Sequence, residues 1–319
     1  MKSLFLSLLL FIFGNSTCFS STYELSIAAI FRDEGPYLKE WIEYHKMVGV
    51  EHFWMYNDSS RDNWEEVLKP YIEEGLVEII NWPIPTPLDF IHYQRMAYRD
   101  ALGRSSGITT WLALIDIDEF LLPKEEKTVT ECLSKHFSHA SGVYINWNVF
   151  GTGKVYLEED EPILFKLTAC AERWHPRNAV GKSIVKPDRV QYSDVNDIWN
   201  IHHYTLLGED QYLNGDGEPI RHKEIYLDNV DYYVHDLIID RFVCDRFIRI
   251  NHYTMRDENF FHEIRLPRNK SFGIEERDIW QHYHEFNKEH DNTIKHFIRT
   301  NYPEICETFW KQAPLSGEP

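Results

Sequence analysis

The first half of the chain alternates between apolar segments short enough to be strands and amphipathic segments with helical spacing. The strand-like segments are Glu24–Phe31, Glu51–Tyr56, Leu76–Ile80, the first half of Trp111–Pro123, and Gly142–Phe150. The helix-like segments between them are Gly35–Gly49, Asp62–Gly75, His92–Leu102 and Thr128–Phe137. This alternation predicts an α/β fold, in which a mostly parallel central sheet carries helices on both of its faces.

Two of the predicted helices begin with residue pairs that can form a capping box. Asp62 with Glu65, and Thr128 with Glu131, have the three-residue spacing of that motif. In a capping box the two side chains accept hydrogen bonds from each other's backbone amides at the helix start. These pairs therefore predict where the two helices begin.

Composition limits the classes of protein to which this chain can belong. With 43% hydrophobic and 15% aromatic residues among 319, it can build a sizeable core and is not typical of disordered chains. Its formal net charge of -18 disfavours binding to nucleic acid or anionic lipid through bulk charge. We therefore expect no nucleic-acid partner, and any anionic ligand must be held by a few basic groups or by a metal.

The second half of the chain is less regular than the first. It is rich in His, Tyr, Asn and Asp, with clusters at WNIHHY and INHYTMRDENFFHEIRLPR. Because no clear linker precedes it, we expect a single domain over residues 22–310, followed by a C-terminal tail over residues 311–319. A separate small domain after Gly208 is the alternative.

The first 21 residues differ from the rest of the chain. Lys2 precedes an apolar run from Leu4 to Phe13, and small and polar residues follow it. A run of about ten apolar residues is shorter than the ~20 that span a bilayer, and it is typical of a secretory signal peptide. We expect cleavage near Ser20 or Ser21 and export to the periplasm, a secretory lumen or the medium. A short membrane anchor, which would make a membrane the partner, and a buried N-terminal strand are the alternatives.

Five cysteines are spread along the chain without any C-x-x-C pair: Cys18, Cys132, Cys170, Cys244 and Cys306. Cys18 lies in the predicted signal peptide. The wide spacing of the others argues against a zinc site built from cysteines alone. In an exported chain it allows one or two disulfides, whose pairing the sequence does not define.

Three polar loops follow three of the predicted strands. They are RDEGP after the first strand, NDSSRDN after the second and DIDEF after the fourth. In open α/β sheets, ligands bind at the carboxyl ends of the strands, and loops at those ends lie near one another. The sequence therefore places a candidate ligand site at this edge of the sheet.

Three carboxylates, Asp116, Asp118 and Glu119, end the apolar segment that starts at Trp111. Aspartates separated by one residue can offer hard oxygen ligands to Mn²⁺ or Mg²⁺, which keep coordination positions open for phosphate oxygens. A metal that bridges two phosphates stabilises a leaving nucleoside diphosphate. The alternative is that these carboxylates cap the following turn and face solvent.

Several segments, in order, resemble glycosyltransferase family 92 and the related family-2-like bacterial glycosyltransferases. They are AIFRDEGPYLKEWIEYHKMVGVEHFWMYNDSSRDN, QRMAYRDAL…WLALIDIDEFLLP, INWNVFGTG, GKSIVKPDRV, IHHY and INHYTMRDENFFHEIRLPR. The likeness covers Glu24 to Arg268. It implies a GT-A fold, with a Rossmann-like nucleotide-binding half and an acceptor-side half. It also implies a nucleotide-sugar donor, usually a UDP-sugar such as UDP-galactose, and transfer of a hexose with inversion to a glycan, glycolipid or glycoprotein.

The resemblance also assigns roles to individual residues. It implies that Mn²⁺ or Mg²⁺ and the donor diphosphate are held by Asp116 and Asp118, with one histidine from the pair His202 and His252. The residues implied to contact the nucleotide or to neutralise its phosphates are Arg32, Glu34, Asp58, Lys182 and Arg256. Those implied to line the sugar and acceptor side are Trp147, Phe150 and Gly151. The alternatives are an Asx-turn for Asp58, a core position for Trp147, structural hydrogen bonds for both histidines, and surface ion pairs for Lys182 and Arg256.

Inversion requires a base that takes the proton from the acceptor hydroxyl. Glu172, which follows the Phe-Gly element, is the first candidate, and Asp257 and Glu258 are the alternatives. Near its end the sequence departs from the family pattern. Arg256 and Asp257 stand where the family usually has Lys-Ser, and IRLPRNK replaces a later Lys and Arg-Gly. Acceptor binding and fine donor choice are therefore expected to differ.

Three other functions would use some of the same features. A nucleotidyltransferase would need the same sheet and aspartates, although the chain lacks a Gly-rich phosphate loop followed by a lysine. A secreted carbohydrate-binding or adhesion protein would suit the aromatic residues, but it has no need of Asp116 and Asp118. A glycoside hydrolase needs two carboxylates, but the order of strands and helices favours a nucleotide site.

Overall fold

A computed structural model of the chain describes residues 22–86, 90–158, 161–191, 201–220 and 243–311. Its strands are β1 Tyr23–Phe31, β2 His52–Asn57, β3 Val77–Asn81, β4 Thr109–Leu114, β5 Glu119–Pro123, β6 Gly142–Val149, β7 Ala169–Cys170, β8 Gly181–Val185, β9 Tyr212–Asn214, β10 Ile248–His252 and β11 Glu289–His290. Its α-helices are α1 Gly35–Met47, α2 Trp64–Glu73, α3 Phe90–Ser105, α4 Val129–His136, α5 Ile163–Lys166, α6 Glu258–Phe260, α7 Leu266–Ser271, α8 Glu276–Glu285, α9 Thr293–Asn301 and α10 Pro303–Thr308. The predicted signal peptide, Cys18 and residues 312–319 of the predicted tail lie outside the described ranges.

One large sheet runs in the order β3-β2-β1-β4-β8-β6-β10-β5, with β9 beside β6. The strands β1 to β4 pair in parallel, as expected from the alternating sequence. β8 then runs antiparallel between β4 and β6, and β5 runs antiparallel to β10. The α/β fold class is thus confirmed, with the parallel pairings concentrated in the N-terminal half. Both β9 and β10, which follow Gly208, belong to this same sheet.

Both faces of the sheet are covered, which explains why β1 is apolar at nearly every position. Leu25, Ile27 and Ala29 lie in the same core as α1, through its buried side chains Leu38, Trp41 and Ile42. Ala28 and Ile30 lie in a second core, which includes Ala97, Tyr98 and Ala101 of α3. Side chains alternate between the faces of a strand, so a strand with a core on each side has no polar face.

The two predicted capping boxes have different outcomes. Thr128 is the N-cap of α4, and its side chain accepts a hydrogen bond from the Glu131 amide at 3.1 Å, while Glu131 accepts one from the Thr128 amide at 3.2 Å. At α2 the prediction is wrong, because the N-cap residue is Asn63 and its side chain makes no capping bond. Asp62 instead accepts a hydrogen bond from the Gly35 amide at 2.5 Å, so it joins the loops after β1 and β2.

The cysteines in the described ranges, Cys132, Cys170, Cys244 and Cys306, are buried free thiols. The disulfides that the sequence allowed are therefore not formed among them. Burial in apolar surroundings raises the pKa of the Cys132 and Cys170 thiols, so they remain protonated at neutral pH. Across the described ranges, every helix is too short or too polar to cross a bilayer.

Candidate active site

The loops that follow β1 and β2 meet directly at the carboxyl edge of the sheet. The Asp33 amide donates to the Ser60 hydroxyl at 3.0 Å, and the Asp33 carboxylate accepts from the Arg61 amide at 2.7 Å. Asp33 adopts a left-handed backbone with φ of 55°, a conformation that aspartate tolerates better than most residues. The convergence of these loops, expected from the parallel strand order, is therefore present.

Asp58, at the end of β2, is nearly inaccessible and binds the loop after β3. Its side chain is 1% exposed and pairs with the guanidinium of Arg32, which is 36% exposed. Its other carboxylate oxygen accepts a hydrogen bond from the Ile84 amide at 2.7 Å. The turn in NDSS is made instead by Asn57, whose side chain accepts from the Ser60 amide at 2.9 Å. Asp58 thus fixes the position of Arg32, whose outer face can reach a ligand.

The first aspartate of the pair, Asp116, is held by three side chains of the fold. Its Oδ1 accepts hydrogen bonds from Gln94 at 2.7 Å and from Tyr98 at 2.9 Å, both on α3. Its Oδ2 lies 2.9 Å from Nζ of Lys182, a side chain that is only 1% exposed. Burial alone would lower the pKa of Lys182, but the carboxylates of Asp116 and Glu119 raise it above its ordinary value, so the lysine is charged.

Glu119 is fully buried behind the two aspartates and accepts a hydrogen bond from the Asp116 amide at 2.8 Å. Burial raises the pKa of its carboxyl group, Lys182 opposes this shift, and the neighbouring Asp116 and Asp118 add to it. The third carboxylate of the strand end is therefore a structural group that fixes the turn.

The second aspartate, Asp118, faces His252 and is 20% exposed. The Nε2 atom of His252 lies 3.5 Å from Oδ1 of Asp118, because β10 pairs antiparallel with β5 and places His252 opposite Glu119. Burial would raise the pKa of the Asp118 carboxyl, but His252, Arg256 and Arg265 together hold it below its ordinary value. Asp118 therefore remains ionised across the physiological pH range.

Asp118 and His252 are suitably placed to hold a divalent metal. Two ligands in adjacent positions of an octahedral shell with bonds of about 2.1 Å lie about 3 Å apart, close to the separation observed here. A carboxylate and an imidazole suit Mn²⁺, and ligand phosphates can complete such a shell. The residues present therefore fit the expected metal, although Asp116 is directed to Lys182 rather than towards Asp118.

His202 occupies a more enclosed position than His252. Its Nδ1 lies 2.7 Å from the carbonyl oxygen of Gly181, and its ring packs edge-on against Trp147. Burial and the charge of Lys182 lower its pKa to about 3, so the ring is neutral. Its arrangement fits the hydrogen-bonded structural histidine that was the alternative to a metal ligand.

Among the described residues, three potential ligand groups lie within 4.8 Å of one another at Glu125, Glu126 and His136. This cluster follows β5 and is at the opposite end of that strand from Asp118. Glu126 is already paired with Lys135 at 2.6 Å and with His136 at 3.0 Å. These ion pairs account for the cluster without a metal.

Arg256 is buried beside the site and is bound by groups of the fold. Its side chain is 2% exposed and pairs with Glu34, while its guanidinium lies 3.6 Å from the ring centroid of Tyr37 and 4.6 Å from that of Phe260. The ion pair that was the alternative to phosphate binding is thus present, but it is buried rather than at the surface. Arg256 thus neutralises the charge of Glu34, as the buried Lys182 neutralises that of Asp116.

Two further arginines of the site, Arg265 and Arg268, were missed as site residues by the sequence reasoning. Arg265 ends the π-helix Phe261–Arg265, and Arg268 lies one turn later in α7. Burial and the charge of Arg268 lower the pKa of the Arg265 guanidinium, and the charge of Asp118 opposes this shift. The charge of Arg268 also lowers the pKa of the Glu34 carboxyl, against the effect of burial. Neither side chain forms an ion pair or hydrogen bond with a residue in the described ranges. The three-residue spacing in IRLPR, which puts both on one helical face, was the available signal.

The residues expected on the sugar side differ in accessibility. Trp147 is 8% exposed, and its ring centroid lies 4.4 Å from that of His252. Phe150 is fully buried and stacks on Tyr253, so it supports the site from within the core and has no surface for a sugar. Gly151 permits close packing, because a Cβ there would lie 2.5 Å from the carbonyl oxygen of Phe286.

The three candidate bases are in very different environments. Asp257 is the N-cap of α6 and also accepts a hydrogen bond from the Leu157 amide at 3.0 Å. Glu258 is buried, with its carboxylate bound by the Thr152 hydroxyl, by the Tyr283 hydroxyl at 2.7 Å and by His262 at 3.1 Å. Glu172 is 57% exposed and contacts Lys288 at 3.1 Å. Asp257 and Glu258 thus have structural partners, whereas Glu172 can reach a ligand.

Comparison with known proteins gives a consistent result. A glycosyltransferase family 92 protein of Ricinus communis is 23% identical over 309 residues, covering 92% of this chain and 49% of that protein. A galactan β-1,4-galactosyltransferase of Arabidopsis thaliana is 32% identical over 100 residues, covering 30% of this chain and 20% of that protein. A β-1,4-galactosyltransferase of Caenorhabditis elegans is 27% identical over 124 residues, covering 36% of this chain and 29% of that protein.

The chain spans about half the length, or less, of the curated relatives that it matches. The family model described as glycosyltransferase family 92 matches residues 22–309, which include every site residue described above. The chain therefore belongs to glycosyltransferase family 92.

Proposed function

We propose that this chain transfers a hexose from a UDP-sugar to a hydroxyl group of a glycan, glycolipid or glycoprotein. The reaction proposed uses Mn²⁺ or Mg²⁺ and inverts the anomeric carbon. The observation that carries the proposal is the Asp118–His252 pair at the carboxyl edge of the sheet, beside Arg265, which forms no ion pair with a residue in the described ranges. Family membership supports glycosyl transfer, and the two galactosyltransferases among the relatives make galactose the first candidate for the sugar.

The donor diphosphate is proposed to lie between Asp118 and the helical arginines. Asp118 and His252 would hold the metal, which supplies Lewis-acid stabilisation of the leaving diphosphate when bound. Arg265 and Arg268 would offset the remaining phosphate charge, because they act on Asp118 and Glu34 yet have no ion pair of their own in the described ranges. In a chain with a net charge of -18, such local cations are needed to bind an anion.

The nucleoside is proposed to lie over the loops after β1 and β2. Arg32 is fixed by Asp58 through its carboxylate and through the Asp58 carbonyl, which accepts from Nε at 3.0 Å. A guanidinium held in one plane can donate two hydrogen bonds to a base or a ribose without losing further side-chain entropy. Arg32 would therefore position the donor, with Asp58 acting through it.

Inversion requires direct attack by the acceptor hydroxyl, and Glu172 is proposed as the base that takes its proton. Asp257 and Glu258 are weaker candidates, since protonation of either would disrupt a helix cap or a buried hydrogen-bond network. Glu172 pairs with Lys288 through a carboxylate that is more than half exposed. An incoming acceptor can displace such a pair at little cost, because exposed ion pairs contribute about 1 kcal/mol or less.

A thermal-shift titration of the purified full-length chain tests this proposal. UDP, GDP and CMP would each be added with Mn²⁺ and with a chelator, because a ligand that binds the native state raises the melting temperature by mass action. We expect a shift with UDP that requires Mn²⁺. A shift of equal size in the chelator would contradict metal dependence, and the absence of a shift with every nucleotide would favour a carbohydrate-binding protein without transferase activity.

A further inference from the structure

Trp174 has an exposed indole ring on the turn that carries Glu172. Its side chain is 59% exposed, whereas the other tryptophans in the described ranges are buried or half-buried. It lies in the segment between β7 and the 3₁₀-helix Pro176–Ala179, two residues after Glu172. An exposed indole offers a large apolar face, with a polar N–H at its edge, that a ligand can contact.

The turn that carries Trp174 is fixed by hydrogen bonds on both sides of it. The carbonyl of Glu172 accepts from the His175 amide at 2.8 Å and from the Asn178 side chain at 3.1 Å. The same Asn178 side chain donates to the carbonyl of Arg173 at 3.2 Å, and His175 lies 2.9 Å from the carboxylate of Glu285. The ring is thus presented by an ordered backbone.

A polar cavity of about 180 Å³ lies next to this turn. Arg173 connects the two, because its guanidinium lies 5.2 Å from the Trp174 ring centroid and 2.7 Å from Asp245, and Arg173 and Asp245 both line the cavity. The cavity is also lined by Asp291, which accepts from Asn148 at 3.1 Å and pairs with Arg249 at 2.8 Å. Carboxylates, amides and guanidinium groups therefore line this cavity together.

This set of groups is suited to a neutral sugar. The hydroxyl groups of a sugar both donate and accept, so they can bind carboxylates and guanidinium groups side by side, whereas an anion would be repelled by Asp245 and Asp291. The apolar face of a sugar ring can pack on an exposed indole. The cavity is also lined by Trp147, whose ring contacts His252, so it adjoins the candidate metal site.

We infer that Trp174 and this cavity form a subsite for the acceptor, and that the acceptor is a neutral oligosaccharide whose ring packs on Trp174. The inference rests on the proposed function, because it concerns the acceptor of that reaction. Glu172, the proposed base, lies on the same turn, so an acceptor bound here would extend towards it.

Binding can be measured without activity by isothermal titration calorimetry. The purified full-length chain would be saturated with UDP and Mn²⁺ and titrated with β-1,4-galactotetraose, cellotetraose and chitotetraose. We expect at least one of these neutral oligosaccharides to bind, and Trp174→Ala to weaken it about tenfold, a typical effect of removing a stacked ring. Trp174→Phe, which keeps an aromatic face, should retain most of the affinity. Tyr156→Ala is the matched control, because Tyr156 is an aromatic residue that is 64% exposed.

The affinity for UDP separates this inference from the proposed function. If the wild-type chain binds UDP but none of the oligosaccharides, or if Trp174→Ala binds them as well as the wild type does, the subsite is refuted and the transferase proposal stands. If UDP affinity falls by the same factor as oligosaccharide affinity, Trp174 supports the fold, and the subsite is again refuted. Failure of the wild-type chain to bind UDP at all would contradict the proposed function itself.

Discussion

The Nζ atom of Lys182 lies 2.9 Å from Oδ2 of Asp116. This contact follows from the sheet order, since β8 lies antiparallel beside β4 and pairs Ser183 with Leu114, one residue from Lys182 and two from Asp116. The charge of Asp116 is thereby balanced inside the protein. The two aspartates of the strand end consequently have different partners: Asp116 is bound by Lys182, whereas Asp118 faces His252.

Replacing Lys182 by methionine should destabilise the fold. Without the lysine, Asp116 and the buried Glu119 have no cation beside them, and breaking a buried ion pair typically costs about 3 kcal/mol or more. We expect a loss of about 2 kcal/mol, since Asp116 is 32% exposed and partly screened by solvent. Urea unfolding of the variant and of Lys69→Met, at a lysine that is 71% exposed, would measure the difference. Equal stability of the two variants would contradict the internal pairing.

Asp118→Asn should abolish glycosyl transfer and leave the fold intact. The carboxylate faces His252 at 3.5 Å and makes no other side-chain hydrogen bond among the described residues, so an amide of the same shape fits its place. The loss of charge should weaken metal binding, and with it the affinity for UDP in the presence of Mn²⁺. Calorimetric titration of UDP with and without Mn²⁺ would measure this effect. The control is Asp278→Asn, at a surface aspartate that is 44% exposed, and retained Mn²⁺-dependent binding by Asp118→Asn would overturn the metal assignment.

Arg265→Gln and Arg268→Gln should each weaken UDP binding about tenfold or more, because a hydrogen bond to a charged group contributes about 1.5–3 kcal/mol. Arg265 interacts electrostatically with Asp118, and Arg268 with Glu34. Neither arginine forms an ion pair or a side-chain hydrogen bond with a residue in the described ranges. The affinity for uridine, which lacks phosphate, should not change. Arg277→Gln, at an arginine that is 81% exposed, is the matched control. An equal loss for uridine and UDP would show that the arginines support the fold and do not contact the phosphates.

Glu172→Gln should lower the turnover number at least a hundredfold, the usual contribution of a general base. The affinity for UDP should be unchanged, because the side chain is exposed and paired only with Lys288 among the described residues. Steady-state rates with UDP-galactose and the best-binding oligosaccharide would measure the effect. Glu276→Gln is a matched control, at a glutamate that is also 57% exposed. Turnover close to that of the wild type would transfer the role of base to another group.

The sequence predicted the strands and the meeting of their loops because both depend on local periodicity and on the rule that parallel strands share a carboxyl edge. It could not predict which cations serve the ligand. Lys182 and Arg256 are residue types that commonly bind phosphate. However, the pairing of β8 with β4 places Lys182 against Asp116. The aromatic rings of Tyr37 and Phe260 enclose Arg256. Such partners come from distant segments, so no spacing in the sequence reveals them.

The same limit explains the error at Asp62 and the burial of Phe150. Asp62 has capping-box spacing, but the loop after β1 supplies a backbone amide at 2.5 Å, and this competing donor is 27 residues away in sequence. The family resemblance implies that Phe150 lines the sugar side, yet the approach of Tyr253 buries it. In both cases a tertiary contact decides between two local interpretations that are equally consistent with the sequence.

Glu40 should make the stability of the fold depend on pH in the neutral range. Its carboxyl group accepts hydrogen bonds from the Trp310 indole at 2.9 Å and from the Ile163 amide at 2.9 Å, and so joins α1 to the C-terminal segment and to α5. Burial raises its pKa from 4.5 to about 7, against the opposing effect of these bonds. Between these two pH values the native state binds the proton that the unfolded state has released. Its contribution to stability is therefore complete below pH 4.5 and is lost as the pH rises through about 7.

The expected loss between pH 5 and pH 8 is about 2.5 kcal/mol, the part of the pKa difference that falls in this range at roughly 1.4 kcal/mol per unit. Urea unfolding at intervals across this range would measure it in the wild-type chain and in Glu40→Gln, which cannot ionise and still accepts a hydrogen bond. The variant should be less dependent on pH than the wild type by that amount, with the two curves closest at low pH, where Glu40 is protonated, and diverging most above about pH 7. Glu73→Gln, at a glutamate that is 68% exposed, should follow the wild-type curve. If wild type and Glu40→Gln have the same pH dependence, Glu40 is ionised in the native state at neutral pH, and the contacts with Trp310 and Ile163 outweigh its burial.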